Sequence, residues 1–197
     1  SLQGARYGIY ENNNLVQELT TDSNGYAKSS LLHEGNYIVK EISASQGYKV
    51  DVTSYSVSVT RGQTATTNVT ENPKCGTLKI KKASSRSELT NGNDRYSLAG
   101  AIYHLKDSSG NVIKTLTTDT NGGASASEIP LGSYTLVEKN ASSGFKLNES
   151  QKSISFVDEQ TITVDGTECL SETPKLGTLK IQKVSENPGI TICLLYT

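Results

Sequence analysis

Methionine and tryptophan are absent from these 197 residues, histidine occurs twice, cysteine three times and proline four times. The scarcity of histidine removes the commonest general base and metal ligand from nearly all of the chain. His33 and His104 stand in unrelated contexts, with no cysteine, serine or second histidine in a motif beside them. That argues against an enzyme, a metal centre or a cofactor site. The net charge is -1 and no basic run interrupts it, so neither nucleic acid nor a membrane surface is favoured as a partner. No stretch approaches the ~18 apolar residues of a spanning helix, and no leader-like segment opens the chain. The missing leader carries no weight, because residue 1 is Ser and the first repeat begins without the strand that opens the next one.

What is present repeats itself. Thr20-Thr21-Asp22-Ser23-Asn24-Gly25 returns as Thr117-Thr118-Asp119-Thr120-Asn121-Gly122, and Asn72–Ile80 returns as Thr173–Ile181. The chain divides into a first repeat over 1–73 that lacks its opening strand, a complete one over 74–174, and the start of a third over 175–192. The strand missing from the first is expected to lie upstream of Ser1. Residues 193–197, Cys-Leu-Leu-Tyr-Thr, resemble a translated sequencing adapter and are set aside. This removes Cys193 and leaves Cys75 and Cys169, whose pairing stays open. If Lys82 pairs beside Glu172, the two cysteines fall about four residues out of step, which favours separate thiols over a disulfide.

A unit of about 100 residues is the usual size of a β-sandwich, and the local pattern agrees. Short alternating segments are separated by Asn, Asp and Gly turns. In the first repeat these are Ala5–Tyr10, Leu15–Thr20, Tyr26–Ser30, Tyr37–Ile42, Tyr55–Thr60 and Ala65–Glu71. In the second they are Thr77–Lys82, Ala101–Lys106, Val112–Thr117, Ala124–Ile129, Tyr134–Lys139, Lys152–Val157 and Ile162–Glu172, the last interrupted near Asp165. A long polar loop spans Ala83–Ser97, and no segment has helical periodicity over 10 residues. The expected fold class is all-β: tandem β-sandwiches, immunoglobulin-like or prealbumin-like.

One strand of each repeat stands out. In Gly132-x-Tyr134-x-Leu136-x-Glu138 and Gly35-x-Tyr37-x-Val39-x-Glu41, period-2 alternation puts Tyr, an apolar residue and Glu on one face. A carboxylate on an apolar face is costly unless it is partnered. The same construction occurs in both copies.

These segments, with Leu98-Ala99-Gly100-Ala101, the Thr-Thr-Asp-x-Asn-Gly turn and the Thr-Pro-Lys-x-Gly-Thr-Leu-Lys-Ile linker, resemble the Cna-B (prealbumin-like) repeats of Gram-positive surface adhesins and pilins. The resemblance covers nearly all of 1–184. It implies a transthyretin-like sandwich, export, and a place in a stalk anchored to the cell wall outside the cell. Neighbouring repeats would be its partners, with host matrix or other surface subunits beyond them. Many relatives of this kind join first strand to last through a Lys–Asn or Lys–Asp isopeptide bond assisted by Glu. By the same likeness Lys82 is the lysine and Glu138 the assisting glutamate.

The third member differs. Counting back from Pro174 and Pro73 puts Glu172 and Glu71 where the family has Asn. Three readings stay open: a buried ionic cluster of Lys82, Glu138 and Glu172, a Lys–Glu amide, or a shifted register using Asn68, Asn72 or Asp165. In the first repeat Glu41 and Glu71 remain without a lysine, while Lys183 begins the third repeat without its glutamates. Asp22 and Asp119 open like calcium loops, but His33 and Pro130 replace the bidentate Glu at position 12; both are expected to be Asx turns. The competing functions are a structural stalk and a module binding host matrix or glycan through Ser84–Ser97.

Overall fold

The computed structural model of the protein describes residues 1–165 and 170–184. Residues 1–73 form β1 (Arg6–Glu11), β2 (Asn14–Thr20), β3 (Gly35–Ser43), β4 (Tyr48–Lys49), β5 (Ser54–Val59) and β6 (Asn72–Pro73). Four of these make one antiparallel sheet, ordered β2-β1-β3-β5, and β4 pairs with β6. At the β1–β2 tip Asn12 and Asn13 take positive φ, 48° and 66°, which asparagine tolerates better than most residues.

Residues 74–174 form β7 (Cys75–Lys81), β8 (Ala83–Ser84), α1 (Ser87–Thr90), β9 (Ile102–Lys106), β10 (Val112–Thr117), β11 (Gly123–Pro130), β12 (Gly132–Asn140), β13 (Gln151–Phe156), β14 (Thr161–Val164) and β15 (Ser171–Glu172). The sheet β10-β9-β12-β13 repeats that of residues 1–73 strand for strand, and a second sheet has the order β11-β7-β14. β7 runs antiparallel to β11 and parallel to β14, and β8 pairs in parallel with β15. Leu78, Ile80, Tyr103, Leu105, Leu116, Ile129, Leu136, Ile154 and Phe156 meet between the sheets. Burying each large apolar side chain contributes about 1.5–3 kcal/mol. The loop 83–97, expected to be irregular throughout, carries β8 and the single turn α1.

Residues 1–73 have no counterpart of the β11-β7-β14 sheet. Tyr26–Ser30 and Ala65–Glu71, expected as strands, take no regular structure. The physical reason lies in the place the absent strand holds in the sheet. In residues 74–174 the corresponding strands β11 and β14 both pair with β7, which lies between them. The absent strand is central, so both neighbours lose their backbone ladder together. The segment Gly177–Val184 repeats the β7 pattern but also takes no regular structure, and it leaves Leu179 85% and Ile181 82% exposed. No strand among the described residues offers it a partner.

The chain passes from one half to the other at Lys74. Its N–H donates to Gly47 O (2.8 Å), and its ammonium pairs with Asp158 (2.9 Å). Lys49 pairs with Glu159 across the same joint (2.6 Å). The far end is built alike: Lys175 N–H donates to Gly144 O (2.8 Å), and Phe145 bridges Pro174 as Tyr48 bridges Pro73.

Candidate functional site: a buried lysine between two glutamates

Alternation along β7 buries Leu78 and Ile80 and carries Lys82, the next residue after the strand, to the same side. β12 likewise buries Leu136 and Glu138, and the short β15 brings in Glu172 behind Leu170. The three chemically expensive side chains therefore enter the core from three different strands. Lys82 Nζ donates to Glu138 Oε1 at 3.1 Å and lies 3.2 Å from Glu172 Oε2. All three side chains are 0% exposed. The contact with Glu172 is an ion pair by distance only, because that oxygen receives no hydrogen bond.

The other two carboxylate oxygens are held by the scaffold. Asn148 N–H donates to Glu138 Oε2 (2.7 Å), and the Tyr103 hydroxyl donates to Glu172 Oε1 (3.0 Å). The Asn148 side chain donates in turn to Ser171 O (3.2 Å), tying its loop to β15. Lys82 Nζ also stands 5.5 Å from the Phe145 ring centroid, within cation–π range.

One ammonium faces two carboxyls, so a formal negative charge is left over. Burial raises the Glu172 pKa above the ordinary carboxylate range; Lys82 opposes the rise and the charge of Glu138 adds to it. Burial, reinforced by both glutamates, pushes the Tyr103 hydroxyl far up. Tyr103 thus stays a proton donor at any physiological pH.

The first half holds the same arrangement without a lysine. The Tyr7 hydroxyl donates to Glu71 Oε1 (2.8 Å), and Asp51 N–H donates to Glu41 Oε2. The two remaining oxygens, Glu41 Oε1 and Glu71 Oε2, are buried with no hydrogen-bond partner. They are the counterparts of the two oxygens that face Lys82. Burial raises the Glu41 pKa; the Asp51 N–H opposes this and the charge of Glu71 adds to it. Lys183 is exposed.

Tyr103, Tyr7, Asn148 and Phe145 were not singled out as site residues from the sequence. A signal existed for the tyrosines, which stand at matching points of the two repeats. Elsewhere, Asp22 Oδ1 accepts from Asn24 and Tyr26 N–H, and Asp119 Oδ1 accepts from Asn121 and Gly123 N–H, which makes both loops Asx turns. Among the described residues no group of three or more His, Cys, Asp or Glu is placed to hold a metal. Cys75 is half-buried, and Cys169 lies outside the described residues.

A family model described as the SpaA prealbumin-like fold domain matches residues 1–73 and again 76–169. The chain belongs to this family. The trypsin-resistant surface T6 protein of Streptococcus pyogenes serotype M6 is 32% identical over 117 residues, covering 57% of this chain and 21% of that protein. Among solved structures, the Bacillus anthracis TIE protein superposes with a TM-score of 0.67 at 25% identity, over 88% of this chain and 31% of that one. The GBS52 minor pilin of Streptococcus agalactiae gives a TM-score of 0.42 at 17% identity, over 92% of this chain and 87% of that one. The chain spans under a third of either of the first two proteins.

Proposed function

We propose that this chain is a length of an extracellular stalk on a Gram-positive cell, built from prealbumin-like sandwiches set end to end. Each complete sandwich is clamped inside by a Lys–Glu–Glu ionic cluster. The observation that carries this reading is Lys82, which ties β7, β12 and β15, the first, a middle and the last strand of one repeat, at a single buried point. Tension along a stalk enters at β7 and leaves after β15. Because β7 and β14 run parallel side by side, pulling loads their ladder in shear, and the cluster resists the same displacement. The joint supports the reading too, since the connection through Lys74 is repeated at Lys175 and passes the chain on without a loose linker. Membership of the family and likeness to a streptococcal surface protein favour an exported location anchored to the wall.

The alternative, a module that binds host matrix or glycan through Ser84–Ser97, finds less support. The one aromatic residue of that loop, Tyr96, packs edge-on against Phe145 (5.6 Å) and donates its hydroxyl to Lys175 O (2.8 Å). It serves the joint rather than a ligand.

Two measurements test the proposal. Single-molecule pulling on the whole chain should show a force peak for residues 74–174 that drops markedly in Lys82→Met; equal peaks would defeat the clamp. Intact mass should equal the sequence mass. A deficit of one water that Lys82→Met restores would replace the ionic cluster with a Lys–Glu amide.

A further inference from the structure

We propose that Asn91 is a site of spontaneous modification, where the Asn91–Gly92 bond cyclises to an imide and opens to aspartate and isoaspartate while two like bonds stay intact. Asparagine precedes glycine three times in the sequence, at Asn24, Asn91 and Asn121. Glycine is the follower that favours this reaction most, because it has no Cβ to shield its nitrogen or to hinder rotation of the peptide. The three bonds share that chemistry, and the fold treats them differently.

Two of them are locked into the Asx turns. Gly25 N–H donates to Asp22 O (3.0 Å), and Gly122 N–H donates to Asp119 O (2.9 Å). The N–H groups of Asn24 and Asn121 are held as well, by Asp22 Oδ1 and Asp119 Oδ1. Around Gly122 the backbone is fixed from a second side. Its carbonyl accepts from Lys82 N–H (2.8 Å), and a Cβ there would lie 2.6 Å from Lys82 O. Neither glycine nitrogen is free to attack until such bonds break.

Asn91 and Gly92 follow α1 and are both exposed. Asn91 N–H donates to Ser87 O (2.9 Å), and the restraint ends there. Gly92 N–H meets no acceptor among the described residues, and nothing beyond its chain neighbours lies within 4 Å of where its Cβ would stand. Asn91 has an extended backbone (ψ 131°), so the peptide must turn toward the side chain to react, and no contact opposes that rotation. Solvent access does not separate the sites, since Asn91 and Asn121 line one cleft of about 700 Å³. The difference lies in the backbone. Gly92 N gives up its proton to solvent and attacks Asn91 Cγ. The N–Cγ bond forms, the Cγ–Nδ2 bond breaks, and ammonia leaves. Water then opens the imide at either carbonyl, and no other reactant is consumed. The product adds a negative charge to a loop that already carries Asp94. Ser85 N–H on Glu172 O and the Tyr96 hydroxyl on Lys175 O (both 2.8 Å) anchor the loop on either side of the site. The inference is independent of the stalk reading.

Ageing the 1–197 chain at neutral pH, folded and in concentrated urea, followed by tryptic peptide mass spectrometry, tests this. In the folded chain Asn91 should convert about tenfold or more faster than Asn121, because attack at Gly122 must first break two backbone hydrogen bonds. In urea the two rates should come together, which shows that the fold and not the neighbouring sequence sets the choice. The tryptic peptide Ser87–Arg95 also holds Asn93, so Asn91→Gln assigns the signal and should abolish it. An unchanged Asn91, equal folded rates at Asn91 and Asn121, a lead of Asn91 that persists in urea, or conversion that survives Asn91→Gln would each overturn the proposal.

Discussion

Replacing Lys82 with methionine removes a charge from the centre of the fold and little else. Methionine is close in length and fills the same channel, so the cavity cost that alanine would add is small. What remains is two glutamates, 0% exposed, with Tyr103 and Asn148 N–H as their donors and no cation. Removing one partner of a buried pair costs about 3–5 kcal/mol, set against a total of about 5–15 kcal/mol for a domain. With an m-value of about 1.5 kcal/mol/M, the urea midpoint of the 74–174 transition should fall by about 2–3 M at pH 7. The pH dependence has a definite sign. The folded pKa of Glu172 is raised, so the neutral acid is the form that folding favours. Its contribution is full below the unfolded carboxyl value, near 4.3, and is lost as pH climbs through the folded value. Losing Lys82 removes the influence that opposed the rise. The gap between Lys82→Met and wild type should therefore narrow as pH falls from 7 toward 4.5. Circular dichroism through urea titrations at several pH values reads both effects. A loss below about 1 kcal/mol at pH 7, or a gap that widens on acidification, would refute the reasoning.

Tyr103→Phe should cost about 1–3 kcal/mol, because it leaves Glu172 Oε1 buried without a donor while preserving the ring; a melt equal to wild type would show that oxygen to be otherwise satisfied. Gly144→Ala should lower the melting temperature by several degrees, since Gly144 has φ +84° and a Cβ there would lie 2.6 Å from both Arg95 O and Tyr96 Cδ1. Gly110→Ala, at the same φ but with nothing within 4 Å, is the control, and calorimetry should show the smaller drop there.

The fold was legible because its signals are local. Asn12–Asn13, Asp22 and Asp119 announce their turns whatever surrounds them. Alternation alone puts Leu78, Ile80 and Leu136 inside. Tyr26–Ser30 and Ala65–Glu71 show where this stops. Their alternation matches that of β11 and β14, yet a strand exists only if a neighbour completes its ladder. The neighbour here is remote in sequence, central in the sheet and absent from residues 1–73. Pattern reports which face would be buried; it does not report whether a partner is present. Gly177–Val184 makes the same point, carrying the β7 pattern without a strand beside it among the described residues.

The cluster was half legible for a related reason. Glu138 and Glu41 betray themselves because a carboxylate on an apolar face must be answered, and the answer can be sought on the strands that end nearby. Tyr103 gives no such signal, since a tyrosine alternating with Leu105 reads as ordinary core, and its hydroxyl meets Glu172 only through the way β9 and β15 are brought together. Asn148 is harder still, because it contributes a backbone N–H from an irregular loop, a role that any residue but proline can fill. Comparing the halves then separates scaffold from occupant. With no lysine at hand, Tyr7 still donates to Glu71 and the Asp51 N–H to Glu41, as Tyr103 and Asn148 do around Lys82. The hydroxyl and the loop amide therefore hold the carboxyls in place whether or not an amine sits between them. That makes the carboxylate pair a pre-organised site for a lysine amine.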